Sequence, residues 1–244
     1  MTKSYGWKNI TYDSYDDLPK EIQSYDNDTW VKKQINRLKN IDQELDILKH
    51  RNSLLIDCVN QYDKNSISIL DYGGGIGLTY FSLLASTDKT IDYNVVELPS
   101  ICKSGKELDI NFYEDIPEIE VDIVYIRTAL QYSQDWKKTL SDLIKCNPKY
   151  IVLVHLSAGN IPTYLTLQMW GDYLIPYWFI NKKELDDCIL GMNYKKISDC
   201  MSYDMTEDYR ENKGEPSGWK TYRDFPKGLG LKQLVDIMYV GGKT

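Results

Sequence analysis

The feature that most constrains this chain is a group of four glycines within residues 73–77, just after Asp71. Residues 67–71 are mostly β-branched or apolar and end in an acid, which is typical of a buried strand. Glycine lets the backbone turn sharply and lets a ligand approach where a Cβ atom would intrude. A helix that starts directly after the turn points its free N–H groups toward such a ligand. The pattern therefore predicts a strand–turn–helix unit that binds a ligand against its backbone.

The spacing of the glycines separates the possible ligands. Gly73, Gly75 and Gly77 occupy alternate positions behind an acid. A dinucleotide site prefers G-x-G-x-x-G, and a phosphate loop prefers G-x-x-x-x-G-K-[ST]. Neither pattern fits, which leaves a different nucleotide-like ligand or a glycine-rich loop of some other α/β protein.

A second acid supports a nucleotide-like ligand. Residues 92–96 are predicted to form the next strand, which ends at Glu97. An acid about 20 residues beyond a nucleotide-binding loop commonly accepts hydrogen bonds from ribose hydroxyls. The alternative is a glutamate at a strand end that only faces water, and the glycine pattern favours the ribose role.

Composition and charge restrict the class of protein. The 244 residues are 42% hydrophobic and 27% charged, which suits one α/β domain with a sizeable core. The net charge of -7 argues against a broad nucleic-acid-binding face. No apolar run approaches the roughly 20 residues of a membrane helix. The expected partner is a small molecule, with neither nucleic acid nor membrane insertion, and the oligomeric state is left open.

The cysteines and the N-terminal residues indicate a compartment. Five scattered cysteines include no C-x-x-C pair, so we expect neither a zinc site nor a redox motif, and no bound metal. Residues 1–15 have no signal-peptide core. An odd number of cysteines in such a chain fits a reducing cytoplasm.

The order of the predicted elements gives the architecture. Five strand-like stretches alternate with helices between residues 67 and 155, and two more strands follow at 193–200 and 234–240. Residues 1–62 are predicted to be an aromatic leader and a long helix that begins near Asp28.

Two stretches interrupt this alternation. Residues 156–180 are rich in aromatic side chains, which form either a wall over the ligand site or a second small core. Residues 207–230 are charged and rich in glycine and proline, which predicts a long loop.

With these elements in order, the chain resembles the class I S-adenosylmethionine-dependent methyltransferases, whose first motif is an acid followed by G-x-G-x-G. More narrowly, it resembles a family of methyltransferases found in bacterial surface-polysaccharide (capsule and O-antigen) gene clusters. The second resemblance spans nearly the whole chain. The sequence segments that carry it lie at residues 6–7, 14–15, 71–77, 96–99, 105–108, 112–113, 130–132, 166–168 and 176–179.

The resemblance implies a fold and a cofactor. The fold is a Rossmann-like α/β class I methyltransferase fold, with a seven-stranded, mostly parallel sheet, one antiparallel strand and helices on both faces. One domain then spans residues 1–244, with a helical extension at 1–62 and the core at 63–244. The cofactor is S-adenosyl-L-methionine and its product S-adenosyl-L-homocysteine. The cofactor-binding residues that the resemblance implies are Asp71, Gly73, Gly75, Gly77, Glu97, Leu98, Glu114, Asp115, Thr128, Leu130 and Gln131.

The resemblance also implies a reaction, which is methyl transfer to an oxygen, rather than a nitrogen, of a small polar acceptor. A sugar or a phosphoryl-bearing precursor of a surface polysaccharide fits the family setting. A sulfonium already contains a strong leaving group, so the protein needs to position the acceptor and remove a proton.

The predicted catalytic residues are His155 and Tyr132. His155 lies at the end of the fifth core strand, where this chain departs from the basic residue that we expect in that family. The ordinary pKa of a histidine side chain lies near neutrality, which suits a general base. Tyr132, with Gln131, is expected to orient the acceptor. An acidic acceptor would be paired with Arg127, Lys182 or Arg210.

Two other functions remain open. One is a non-catalytic, methyltransferase-like partner subunit that kept the fold. The other is a nicotinamide-dependent enzyme on a similar sheet, against which the glycine spacing counts.

Overall fold

The N-terminal part of the chain is one short strand and three helices. The computed structural model describes residues 5–202, 229–231 and 234–241. The N-terminal elements are β1 (Tyr5–Trp7), α1 (Asp28–Lys39), α2 (Ile41–Arg51) and α3 (Ser53–Gln61). The long helix expected from Asp28 is two helices, because the backbone leaves helical geometry at Asn40.

The N-cap residue of α1 is Asn27, one residue before the expected start at Asp28. The Asn27 side-chain oxygen accepts a hydrogen bond from the backbone N–H of Trp30 at 3.0 Å. That bond satisfies one of the N–H groups that have no partner inside the helix.

Strands and helices then alternate, as the sequence pattern predicts. The core elements are β2 (Ser66–Tyr72), α4 (Leu78–Leu84), β3 (Thr90–Val96), α5 (Pro99–Gly105), β4 (Asn111–Tyr113), β5 (Ile123–Arg127), α6 (Trp136–Ile144) and β6 (Tyr150–Leu156). The remaining elements are β7 (Ala158–Gly159), β8 (Tyr164–Trp170), β9 (Tyr173–Asn181), α7 (Lys182–Leu190), β10 (Tyr194–Met201) and β11 (Val235–Gly241).

Seven strands form the central sheet in the order β10-β11-β6-β5-β2-β3-β4. The pairs from β6 to β4 are parallel, and β11 is antiparallel to both of its neighbours. The predicted fold class is therefore confirmed. The chain leaves β2 for β3 on one side and later returns to β5 on the other, so a crevice opens at the carboxyl ends of β2 and β5.

Both faces of the sheet are buried, because alternate residues of each strand face opposite sides. Leu70 of β2 belongs to a cluster with Leu140 of α6 on one face. Ile69, its neighbour, belongs to a cluster with Leu55 of α3 on the other face. All four side chains are fully buried, which fixes the register of β2.

The aromatic stretch is a hairpin that also captures the N-terminal leader. Strands β8 and β9 pair antiparallel, and β1 adds to the free edge of β8, with Trp7 opposite Gln168. Tyr164, Tyr177 and Phe179 pack in a small separate core. The hairpin thus forms the second small core, and its tip contributes Trp170 to the cavity described below.

Two expectations lie largely outside the described residues. The predicted charged loop is described only at residues 229 and 230, and Arg210 is not described. Among the helices that are described, none is long and apolar enough to cross a membrane.

Candidate functional site

A cavity of about 470 Å³ opens at the carboxyl edge of the parallel strands. One wall, the core wall, is the glycine loop with the ends of β2, β3 and β5. A second group of lining residues, the outer wall, consists of Tyr25, side chains of α1 and α2, and Trp170 at the hairpin tip. The cavity therefore lies at the switch point where an open α/β sheet binds its ligand.

The glycine loop brings bare backbone to the cavity. Gly73 and Gly75 have φ angles of +70° and +60°, in the left-handed region that side chains rarely adopt. A Cβ atom on Gly73 would lie 2.3 Å from the Cβ atom of Ala129, and one on Gly75 would lie 3.0 Å from Oε1 of Gln34. Gly77 begins α4 as its N-cap residue and does not line the cavity. The first two predicted glycines therefore form a cradle that only glycine fits.

Asp71 is a buried acid at the end of β2, with 1% of its surface exposed. Tyr93 donates a hydrogen bond from its hydroxyl to Oδ2 at 2.5 Å, while Oδ1 has no hydrogen-bond partner among the described residues. Burial raises the pKa of Asp71 to about 7, against the opposing effects of the Tyr93 hydrogen bond and the Arg127 charge.

Arg127, at the end of the neighbouring strand β5, lines the same cavity. Its Nε atom is also buried with no hydrogen-bond partner among the described residues. A buried polar atom without a partner is costly. The core wall thus contains one acidic oxygen and one guanidinium nitrogen that are buried without a described hydrogen-bond partner.

Glu97 follows β3 and ties it to the glycine loop. Its carboxylate accepts hydrogen bonds from the backbone N–H of Gly75 at 3.2 Å and of Leu98 at 2.5 Å. Burial raises the pKa of Glu97, and these two backbone bonds oppose that effect. Glu97 and Leu98 both line the cavity, at the position expected for ribose recognition.

The remaining predicted cofactor residues divide into two groups. Glu114 and Thr128 line the cavity, and Thr128 has a φ angle of 52°. Asp115 is exposed, whereas Leu130 and Gln131 are fully buried, and none of these three lines it. These positions describe where the side chains lie, and their roles in binding stay predictions.

The structure does not bring the two predicted catalytic residues to one surface. Tyr132 lines the cavity, and His155 does not. The backbone N–H of His155 donates to Oδ1 of Asp236 at 2.7 Å, and its Nδ1 atom lies 3.0 Å from Oγ of Ser202. Its φ angle of 57° marks a local irregularity at the end of β6.

Sequence reasoning missed the contribution of helix α1 to the outer wall, although it gave a wall over the ligand site as one alternative for residues 156–180, which include Trp170. Trp30, Gln34 and Arg37 of α1 line the cavity, and Gln34 is only 3% exposed. Their spacing of four and then three residues places them on one helical face. A polar residue on that face was the available signal, but the apolar stripe of the same helix drew the interpretation toward packing.

Aromatic rings from three segments of the chain meet in the cavity lining. Tyr25 makes edge contacts with Tyr132 and Trp170, at centroid separations of 5.2 and 5.3 Å. The hydroxyls of Tyr25 and Tyr132 both donate to Oε1 of the buried Gln168, at 2.7 and 3.0 Å. The leader, the loop after β5 and the hairpin are therefore joined at one amide oxygen.

Comparison with known proteins now adds to this geometry. No protein-family model and no curated protein matches the sequence. Several solved structures do match. The Burkholderia thailandensis 1,6-didemethyltoxoflavin-N1-methyltransferase, which contains S-adenosylhomocysteine, has a TM-score of 0.55 at 12% identity, over 97% of this chain and 95% of that one.

Two further structures agree. A chain of the complex between the Haloferax volcanii Trm112 methyltransferase activator and a methyltransferase has a TM-score of 0.58 at 13% identity, over 89% of this chain and 96% of that one. An S-adenosylmethionine-dependent methyltransferase from Clostridium acetobutylicum has a TM-score of 0.53 at 10% identity, over 88% and 100%. The fold is that of the class I methyltransferases. At these sequence identities the likeness establishes the fold alone, and it assigns no function to the residues of the cavity.

Among the described residues, no group of three or more His, Cys, Asp or Glu is arranged to hold a metal ion.

Proposed function

We propose that this protein is an S-adenosylmethionine-dependent methyltransferase. The observation that carries the proposal is the core wall, where the glycine cradle, Glu97 and two unpartnered buried atoms of opposite charge meet at the switch point of the sheet. A structure with the same fold contains S-adenosylhomocysteine. When bound, this cofactor supplies a methyl group on a sulfonium, from which the neutral thioether S-adenosylhomocysteine departs as the leaving group.

The residues of the core wall fit the parts of this cofactor. Oδ1 of Asp71 suits the ammonium of the methionyl group, and Nε of Arg127 suits its carboxylate, because each atom is buried without a described partner. Glu97 is proposed to bind the ribose hydroxyls, which its place at the end of β3 and in the cavity lining supports. The resemblance favours Asp115, and then Glu114, for the adenine amine, and we propose Glu114 because it lines the cavity and Asp115 does not.

The acceptor binds on the outer wall. Trp30, Trp170 and Tyr25 present ring faces and edges there, and rings of this kind stack on sugar faces. We propose O-methylation of a small polar acceptor, such as a sugar or a phosphoryl-bearing precursor of a surface polysaccharide. Tyr132 orients that acceptor, because its ring lines the cavity beside Tyr25.

The proton of an acceptor hydroxyl needs a base as the new oxygen–carbon bond forms. His155 is proposed for this role, supported by its place at a carboxyl strand end and by a hydrogen bond that fixes its ring to Ser202.

Calorimetric titration tests the cofactor. We expect S-adenosylmethionine and S-adenosylhomocysteine to bind in the micromolar range and NADH not to bind. Binding of NADH would identify a nicotinamide enzyme instead. Binding of none of the three would favour a non-catalytic partner subunit.

Replacing His155 tests the base. His155→Ala should lower the rate of S-adenosylhomocysteine release in the presence of acceptor by about 10²–10⁴-fold, the usual contribution of a general base. The affinity for S-adenosylhomocysteine should not change. His50, the other histidine, belongs to helix α2 rather than to a strand end, so His50→Ala is the matched control. Equal rates for the two variants would remove His155 from the mechanism.

A further inference from the structure

His155 occupies a bulge at the end of strand β6. Between two regular pairs of β11 with β6, the single residue Asp236 lies opposite both Val154 and His155. Bulges of this kind are common beside active sites, where they turn a side chain out of the regular alternation of its strand. The φ angle of His155 is 57°, in a region that few residues other than glycine adopt. The backbone therefore sets the direction of this one side chain apart from its neighbours in β6.

The bulge lies beside the core wall. The backbone N–H of Thr128, which lines the cavity, donates a hydrogen bond to the carbonyl oxygen of Val154 at 3.1 Å. Arg127, which also lines the cavity, pairs with Val154 in the register of the sheet. His155 is thus the next residue along the chain from a direct contact with the core wall.

Three polar side chains from adjacent strands meet at this bulge. Oδ1 of Asp236 accepts a hydrogen bond from the backbone N–H of His155 at 2.7 Å, and the Ser202 hydroxyl also donates to the Asp236 carboxylate. Oγ of Ser202, which directly follows β10, lies 3.0 Å from Nδ1 of His155. Ser202 is buried, and its backbone N–H donates to the carbonyl oxygen of Leu234 at 3.0 Å. The result is a chain of hydrogen bonds from a carboxylate through a hydroxyl to an imidazole.

The hydrogens available in this chain fix the direction of each bond. Burial raises the pKa of Asp236, and the hydrogen bonds from His155 and Ser202 and the charge of Arg127 oppose that effect. An ionised carboxylate only accepts hydrogen bonds, so the single hydroxyl hydrogen of Ser202 is used on Asp236. Oγ of Ser202 can then only accept from His155, which places the ring hydrogen of a neutral imidazole on Nδ1. The basic lone pair of His155 is then on Nε2.

We propose that Asp236 and Ser202 are positioning residues that hold neutral His155 with its hydrogen on Nδ1, so that Nε2 takes the proton of the acceptor hydroxyl. This inference rests on the proposed function and deepens it, because it names the basic nitrogen and the residues that select it. As the oxygen–carbon bond forms, the hydroxyl proton passes to Nε2, and the electrons of the broken carbon–sulfur bond stay on sulfur. The imidazolium is then stabilised by the negative charge of Asp236 through Ser202.

Nitrogen-15 spectroscopy reads the tautomer directly, because the chain has only two histidines. The full chain is labelled with nitrogen-15 in histidine alone, and long-range proton–nitrogen correlation spectra are recorded at about pH 8.5, where an ordinary imidazole is neutral. The variant His50→Ala identifies the signals of His155. Ring nitrogens with and without a hydrogen resonate far apart, so the two tautomers are distinguished. The Nδ1–H form of His155 should predominate by about tenfold, which is the usual effect of one hydrogen bond.

Variants test what selects the tautomer. Asp236→Asn keeps the shape of the side chain, but its amide can donate to Ser202, whose hydroxyl can then donate to Nδ1. The tautomer ratio should therefore reverse toward Nε2–H, as it does when an aspartate that orients a histidine becomes asparagine. Ser202→Ala should abolish the preference for Nδ1–H, and Ser202→Thr, which restores a hydroxyl, should return it. Ser198→Ala removes a hydroxyl of β10 that bonds to Cys200 and should leave the tautomer unchanged.

Rates and calorimetry separate this inference from the function on which it rests. In the assay used for His155→Ala, Asp236→Asn should lower the rate by about tenfold, because only the minor tautomer then has its lone pair on Nε2. All variants should bind S-adenosylhomocysteine as the unchanged protein does. An Nε2–H tautomer in the unchanged protein, or a tautomer that Asp236→Asn and Ser202→Ala do not alter, would overturn the inference and leave the cofactor assignment standing. An unchanged protein that shows the Nδ1–H tautomer but binds no S-adenosylhomocysteine would overturn the proposed function instead.

Discussion

The two walls of the cavity are built by different means. The core wall is made of backbone and strand ends, with left-handed glycines and acids fixed by the register of a parallel sheet. The outer wall is made of side chains from distant parts of the chain, as the bond between Tyr25 and Gln168 spans 143 residues. A wall of backbone cannot change its shape without refolding, whereas a wall of side chains can change one residue at a time. The first therefore suits a fixed cofactor and the second a variable acceptor.

The strongest test of this difference between the two walls is to place a side chain on the core wall. Gly75→Val forces a β-branched residue to a φ of +60° and fills the cradle. The affinity for S-adenosylhomocysteine, measured by calorimetry, should fall by more than about 100-fold, while backbone strain of about 1–3 kcal/mol lowers the stability.

Gly171 supplies the control for strain alone. It has a φ of +63° and does not line the cavity. Gly171→Val should therefore lower stability without a comparable loss of affinity. Equal losses of affinity in both variants would show that strain, rather than close approach of the ligand, is responsible.

The buried acid of the core wall should give the protein without ligand an unusual pH dependence. Asp71 has a pKa raised to about 7 by burial, whereas an unfolded aspartate titrates near about 3.9. Between these values the folded chain holds one more proton than the unfolded chain, so stability falls as the pH rises. The contribution amounts to roughly 4 kcal/mol, present below about pH 4 and lost above about pH 7.

Urea denaturation of Asp71→Asn beside the unchanged protein isolates this effect. The variant keeps an oxygen that can accept the Tyr93 hydroxyl and removes the titration. The difference in unfolding free energy between the two proteins should grow between about pH 4 and pH 7 in favour of the variant. A constant difference would mean that Asp71 does not titrate in that range.

A smaller effect is expected at the second acid of the core wall. Glu97→Ala removes a carboxylate that accepts a hydrogen bond from the N–H of Gly75. The affinity for S-adenosylhomocysteine should fall by about 10–100-fold, which is the usual effect of losing a charged hydrogen-bond partner. Glu114→Ala should have a smaller effect because Glu114 is exposed, and Asp115→Ala should have none because Asp115 does not line the cavity. The reverse order of Glu114 and Asp115 would contradict the proposed adenine contact.

The smallest effect should come from the outer wall. Tyr25→Phe removes one hydroxyl that donates to Gln168 and should cost about 1 kcal/mol of stability. S-adenosylhomocysteine affinity should not change, since all the proposed cofactor contacts are on the core wall. The double variant Tyr25→Phe and Tyr132→Phe should lose more than the sum of the single variants, because both donors share one oxygen. Additive losses, or a loss of cofactor affinity, would mean that the two walls are not independent.

The sequence by itself determined the sheet and the core wall. Three local signals are the short apolar strands, the alternation between strand-like and helix-like spacing of apolar residues, and the glycines after Asp71. Each of them specifies the backbone conformation of its own segment. Parallel pairing then carries Asp71, Glu97 and Arg127 to one edge without further information, because all parallel strands end on the same side.

Only the tertiary structure decided the outer wall and the position of His155. Gln34, Lys33 and Trp170 reach the cavity because α1 and the hairpin pack against the core, and no local pattern encodes a contact between segments so far apart. His155 ends a strand at the correct edge, yet its φ of 57° and its bonds to Asp236 and Ser202 decide where its ring lies. Local sequence specifies backbone geometry, whereas the surface that a side chain meets depends on packing between elements that the chain brings together only when it folds.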